Sequence, residues 1–198
     1  MADSKNKRDS SYDNLPEIPG YKIEKRIGRG GMADVYKGIQ LTLNRPVAIK
    51  IISASFSRDP SFSKRFLLEA QTVAKLVHPN IVTIHDIGSH KENHYIVMEY
   101  LDMKLNSRLK YLGKISIEES LRIIKALAAA IKYAHAKGII HRDIKPDNCM
   151  FRTDETPVLV DFGLAKTVDA ETSISQTGIR LGTPNYMSPE QCMGKKLD

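Results

Sequence analysis

Two cysteines in 198 residues, Cys149 and Cys192, stand far apart with no C-x-x-C spacing. That argues against a zinc site or a disulfide scaffold, and Cys149 reads as a small buried apolar residue in a strand. No apolar run approaches the roughly 18 residues of a membrane-spanning helix. The opening "MADSKNKRDSSYDN" lacks the apolar core of a signal peptide, so a cytoplasmic chain with no membrane segment is expected. The net charge is +7, yet the cations are scattered among acids without a basic run or interleaved aromatics, which argues against nucleic acid as a partner. No internal repeat is evident.

What is present fits a soluble globular chain: 41% hydrophobic and 27% charged residues, enough for one core or two small lobes. Residues 1–20 are polar and expected to form a flexible tail. Strand-like stretches follow, "YKIEKRI", "DVYKGIQ", "PVAIKII", "NIVTIHDIG" and "HYIVMEY", interrupted by one helical stretch near 62–77. Then "SIEESLRIIKALAAAIKYAHAKG" predicts a long helix. Ser116 and Glu119 make a capping box, Ile117, Leu121, Ile124, Leu127 and Ile131 follow at helical spacing, and Gly138 suits the end. The expected class is α+β, sheet-rich first and helical second.

Polar groups break this pattern in three places. In "VAIKII", period two puts Val47, Ile49 and Ile51 on one face and Ala48, Lys50 and Ile52 on the other. Glu69 falls within the stripe Phe62, Phe66, Ala70, Val73 and Leu76, where a lone buried carboxylate costs several kcal/mol. A Lys50–Glu69 ion pair satisfies both anomalies; a snorkelling lysine and a helix-edge glutamate satisfy them equally. "IGRGGMADVYKG" sets Gly28, Gly30 and Gly31 between strands. A dinucleotide fingerprint needs a helix there, so the glycines are either a plain turn or a tip whose N–H groups approach phosphates.

The third place is "HRDIKPDNCMF" with "VLVDFGLAK". Two short strands, "CMF" and "PVLV", joined by the turn "RTDET", form a hairpin that brings Asn148 near Asp161. Two oxygen ligands there suit Mg²⁺, which completes its shell with water and phosphate oxygens. Asp143 and Lys145 on the same loop add a proton acceptor and a cation.

Taken together, "GRGGMADV", "VAIK", "EA" in the early helix, "HRDIKPDN", "DFG" and "SPE" resemble, in order across residues 21–190, the eukaryotic-like (Hanks-type) protein kinases. "HRDIKPDN" and "GTPNYMSPE" resemble the serine/threonine branch, and "RGGMADVYKG", "HPNIV" and "SPEQ" are similar to its bacterial members. The resemblance implies a bilobal kinase-like fold over 21–198. It has a complete N-terminal lobe at 21–101, an antiparallel sheet plus one helix, and a partial helical lobe at 102–198 that ends after the activation segment.

It also implies roles. Ile27, Gly28 and Gly30 cover the ATP phosphates, and Lys50, held by Glu69, binds the α and β groups. Val35, Ala48 and Met150 enclose adenine, with Met98 as gatekeeper and backbone groups of Glu99 and Leu101 on its edge. Asp143 accepts the proton, Lys145 steadies the phosphoryl group, and Asn148 and Asp161 hold Mg²⁺, with Mn²⁺ an alternative. Arg142 marks kinases whose activation segment is ordered by phosphorylation. Thr177 and then Ser175 resemble autophosphorylation sites, which implies self-association for transfer between copies. Thr183 resembles a threonine that contacts Asp143 and Lys145, while Thr172 and Ser173 read as solvated loop hydroxyls. Protein serines and threonines are the implied substrates.

The chain departs from the family pattern at Ala33, which replaces the third glycine, and in "LDMKLNS", one residue short and without glycine. The sequence as given stops at Asp198, before the helices that the family pattern places next over "IIKALAAAI", so a fragment or truncated product is expected. Two other classes follow. One is a nucleotide-binding or interaction module without turnover, and the other is a small-molecule phosphotransferase, which typically carries His-Gly-Asp in place of "HRDIKPDN".

Overall fold

The computed structural model describes residues 15–57, 59–162, 184–193 and 195. Strands β1 (Tyr21–Arg29), β2 (Ala33–Gln40) and β3 (Arg45–Ile52) form an antiparallel meander. A one-turn helix α1 (Ala54–Ser57) and the longer α2 (Pro60–Ala74) follow, then β4 (Ile84–His90) and β5 (Asn93–Glu99). The five strands order as β1-β2-β3-β5-β4, with β3 central and paired to β5. After Leu101 come β6 (Met103–Lys104), α3 (Leu105–Leu112) and α4 (Ile117–His135). A 3-10 turn at Pro146–Asn148 leads to β7 (Cys149–Phe151) and β8 (Pro157–Leu159), which complete a three-stranded sheet ordered β6-β7-β8. A short helix α5 (Pro189–Cys192) closes the described chain.

The two faces of β3 divide as its alternation predicts. Val47, Ile49 and Ile51 pack with Tyr95, Val97 and Ile18, so Ile18, within the stretch expected to be tail, is buried on the outer face of the sheet. Ala48 and Ile52 face α2 and join Phe62, Phe66, Ala70 and Val73 in the main core, which continues to Val158–Phe162 and to Ala130 and Ala134 of α4. The N-terminus of α2 is set by Asp59, whose carboxylate accepts from Ser61 N and Phe62 N, with Pro60 at the first helical position.

The segment after α2 stitches the two sheets together. Val82 N donates to Leu159 O (3.0 Å), Leu159 N to Asn80 O (2.9 Å), and Asn80 Nδ2 to Pro157 O (2.8 Å). This is why "NIV" leaves the strand expected there: Ile81 bridges Leu159, and β4 starts at Ile84. Helix α4 begins at the expected cap, with Ser116 Oγ accepting from Glu119 N, but only this half of the expected capping box forms, the Glu119 carboxylate lying against Arg108 (2.7 Å) instead. Its last turn gives way to Gly138 at φ +73°. Its buried side is Ile123, Ala130 and Ala134, whereas Ile117, Leu121 and Ile124 of the expected stripe are 82%, 50% and 61% exposed. Helix α3, with no buried residue, has no counterpart in the sequence reading. No helix among the described residues is long and apolar enough to cross a membrane.

Candidate active site

A cavity of about 580 Å³ opens between the β1–β2 hairpin, β3, β5 and the turn before β7. Its walls include Ile27, Gly28, Gly30, Val35, Ala48 and Lys50 from the first sheet, Met98, Glu99 and Leu101 from the connection, and Lys145, Asn148, Met150 and Asp161 beyond it. All are residues the sequence placed at a nucleotide site. The apolar side chains Val35, Ala48, Val82, Met98, Met150 and Val160 and the charged Lys50 and Asp161 share this one space, as fits a ligand with an apolar ring and anionic groups. At the hairpin tip Gly30 N donates to Ala33 O (3.1 Å), and a Cβ on Gly30 would stand 2.8 Å from that carbonyl oxygen, so only glycine fits the turn.

The cation of β3 has a different partner from the one expected. Lys50 Nζ lies 2.7 Å from Asp161 Oδ1, and Lys50 and Glu69 form no ion pair. Helix α2 is turned so that Phe62 and Phe66 line the cavity beside Lys50. Glu69 stands on the flank of that stripe, with Oε2 buried and no hydrogen-bond partner. Burial pushes its carboxyl up to about 7, against the pull of the Arg142 and Arg65 charges. Burial would also raise Asp161, but the charge and hydrogen bond of Lys50 outweigh it and hold that carboxyl below its ordinary range.

The loop before β7 is organised around Asp143. Asn148 Nδ2 donates to both Asp143 O and Oδ2 (2.8 Å each), and Lys145 Nζ lies 3.0 Å from Oδ2. Asp143 N donates to His141 Nδ1 (3.2 Å), which makes Nδ1 the acceptor nitrogen, so Nε2 carries the proton and donates to Val160 O (2.9 Å). His141 is 1% exposed and packs against Phe162 in a tilted arrangement with ring centroids 4.6 Å apart, linking the two motifs through the core. Arg142 and Asp161 adopt φ of +64° and +58°, a region that costs a non-glycine residue about 1 kcal/mol or more. Such strain persists only where surrounding contacts fix it. Asp143 itself does not line the cavity but contacts Lys145 and Asn148, which do.

With Nδ2 of Asn148 committed to Asp143, its amide oxygen is the atom left as a ligand. Asn148 and Asp161 thus offer two hard oxygen donors, joined across the hairpin by Val160 N donating to Asn148 O (2.9 Å). Among the described residues no group of three or more His, Cys, Asp and Glu could hold a metal by itself. A divalent cation here would need further oxygens from its ligand or from water, as Mg²⁺ accepts.

Two contacts had no signal in the sequence. Arg152, just past β7, makes a two-pronged pair with Glu99, Nε to Oε2 at 2.8 Å and Nη2 to Oε1 at 2.7 Å, and also donates to Pro79 O. Glu99 Oε1 additionally accepts from Thr83 N (2.8 Å), and Glu99 N donates to Thr83 O (3.0 Å). The N–H and carboxylate of Glu99 are thereby engaged with Thr83 and Arg152. The second is Gln191, whose Nε2 donates to Arg142 O (2.8 Å). Thr172, Ser173, Ser175, Thr177 and Thr183 lie outside the described residues.

Residues 21–198 match the family model of the protein kinase domain, and the chain belongs to that family. Within it, the chain is similar to bacterial serine/threonine kinases. It is 39% identical over 180 residues to serine/threonine-protein kinase PknA of Mycobacterium tuberculosis, covering 88% of this chain and 42% of that protein. It is 43% identical over 176 residues to the probable serine/threonine-protein kinase PknB of Lactococcus lactis, covering 88% and 28%. The chain therefore spans about two-fifths or less of the length of these relatives. The crystal structure of the Mycobacterium tuberculosis PknI kinase domain superposes with a TM-score of 0.71 at 29% identity, over 92% of this chain and 69% of that one.

Proposed function

We propose that this chain is an ATP-dependent serine/threonine protein kinase domain that transfers the γ-phosphoryl group of ATP to protein hydroxyls. The observation that carries this reading is the joining of Asp143, Lys145 and Asn148 into one hydrogen-bonded unit beside the cavity that Lys50 and Asp161 line. Val35, Ala48, Met98 and Met150 enclose the adenine ring, and backbone groups of Glu99 and Leu101 meet its edge. Gly28 and Gly30 let the hairpin backbone lie over the phosphates, and Lys50 offers its charge to them. Asp143 takes the proton of the acceptor hydroxyl as its oxygen bonds to the γ-phosphorus, while the bond from phosphorus to the bridging oxygen breaks and ADP leaves. Lys145 holds the Asp143 carboxylate and presents its cation to the transferred group.

The donor set of Asn148 and Asp161 fits Mg²⁺, or Mn²⁺, whose contribution when bound is to neutralise charge on the phosphate oxygens. The reading extends to a cytoplasmic location and to Thr177 and Ser175 as acceptors on a second copy of the chain. The name and branch of the relatives support serine and threonine as acceptors. A Lys50→Met variant tests the site: ATP with Mg²⁺ should bind the wild-type chain measurably and the variant at least tenfold more weakly, with transfer to casein lost. Equal binding and equal transfer in the variant would refute the assignment of the cavity.

A further inference from the structure

The peptide group between Arg142 and Asp143 is held at both ends. Its N–H, on Asp143, donates to His141 Nδ1 (3.2 Å). Its carbonyl, on Arg142, accepts from Gln191 Nε2 (2.8 Å), across 49 residues of chain. Arg142 sits at φ +64°, a conformation that a non-glycine side chain leaves readily unless its carbonyl is engaged. Gln191 is itself fixed by α5: Ser188 Oγ accepts from Gln191 N (3.3 Å), and Gln191 Oε1 accepts from Ser188 N (3.1 Å). Both ends of one side-chain amide are thus used, one to close the helix start and one to grip the loop.

We propose that Gln191 is a positioning residue for Asp143, fixing the plane of the peptide that carries this carboxylate and tying it to the short helix α5. The proposal rests on the reading of Asp143 as the proton acceptor. Rotation of that peptide would swing Asp143 away from Asn148 and Lys145, so the start of α5 and the alignment of the carboxylate form one mechanical unit. A glutamine is required because the position needs an acceptor and a donor on one planar group. Glutamate at this position keeps the acceptor for Ser188 N and presents a second oxygen to the Arg142 carbonyl.

The test compares the full chain with Gln191→Glu and Gln191→Met by two readouts. Amide hydrogen exchange in 141–148 should rise about fivefold in both variants, the worth of one net hydrogen bond, while exchange in α4 stays unchanged. Phosphoryl transfer should lose about tenfold in kcat, with KM for ATP moving by less than about twofold. Unchanged exchange in 141–148 would overturn the proposal, as would a loss carried equally by kcat and KM. If Gln191→Glu also opens α4, Gln191→Met, which carries no charge, decides. If the wild-type chain shows no transfer at all, the exchange data still decide the role of Gln191, and the kinase reading of this chain fails separately.

Discussion

Replacing Arg152 with alanine removes a two-pronged ion pair that joins the connection between the sheets to the turn after β7. Glu99 and Arg152 are 17% and 26% exposed at their side chains, so neither charge is fully solvated. Each charge-assisted hydrogen bond contributes about 1.5–3 kcal/mol, and breaking a fully buried pair costs about 3–5 kcal/mol. Partial exposure brings the expected loss to about 2 kcal/mol, because Glu99 keeps only Thr83 N and Pro79 O loses its guanidinium donor. Acid titration should report the same pair. Burial raises the Glu99 carboxyl, but Arg152 and Thr83 outweigh it and hold it below its ordinary value. A depressed folded-state value stabilises the protein above the ordinary carboxylate range and is lost as pH falls through the lowered value. In Arg152→Ala burial acts with less opposition, so the acid transition should shift to higher pH. The assay is urea unfolding followed by far-UV circular dichroism, the chain having no tryptophan, at pH 7 and through the acid range. A cycle with Glu99→Gln and the double variant isolates the pair, with an expected coupling of about 1–2 kcal/mol. A loss below about 0.5 kcal/mol, or additive single variants, would refute the clamp.

Gly30→Ala should weaken ATP binding by about three- to tenfold, because the added carbon meets the Ala33 carbonyl, while Gly31→Ala, with open space around it, should leave affinity unchanged; calorimetric titration distinguishes them. Glu69 has a folded-state value raised to about 7. Its ionisation therefore opposes folding, and stability should fall between about pH 4.5 and 7; Glu69→Gln should flatten that slope and add about 1–3 kcal/mol at pH 8. Parallel slopes for both chains would contradict the burial of Glu69. Burial pushes the Cys149 thiol up to about 11, so iodoacetamide at pH 8 should label exposed Cys192 and leave Cys149 untouched until the protein unfolds.

The sequence carried the sheet and most of the cavity because both follow from local period. Alternation in "VAIKII" sorts Val47, Ile49 and Ile51 from Ala48, Lys50 and Ile52, and the two faces pack against different clusters. The hairpin of β7 and β8 likewise brings Asn148 and Asp161 together as the turn "RTDET" implies. Period does not say how far a helix is rotated about its axis. Phe62 and Phe66 rather than Glu69 therefore occupy the side of α2 facing Lys50, and the cation finds Asp161, 111 residues away. Helix α3 has no buried stripe and so no pattern to read. Arg152 and Glu99 look in sequence like two ordinary charges 53 positions apart. Gln191 stands three residues after the Ser188 cap of α5 and closes its capping box, and only the fold reveals that its side-chain nitrogen also holds Arg142 O.

Transfer of label from γ-labelled ATP with Mg²⁺ is the most direct measurement, made on the wild-type chain and on Asp143→Asn, with the labelled residues mapped by mass spectrometry. Phosphoserine or phosphothreonine is expected on Thr177, Ser175 or an added protein, and it should disappear in the variant. Label that persists in Asp143→Asn would contradict the role given to Asp143, and a wild-type chain that binds ATP without transferring label would make it a nucleotide-binding module.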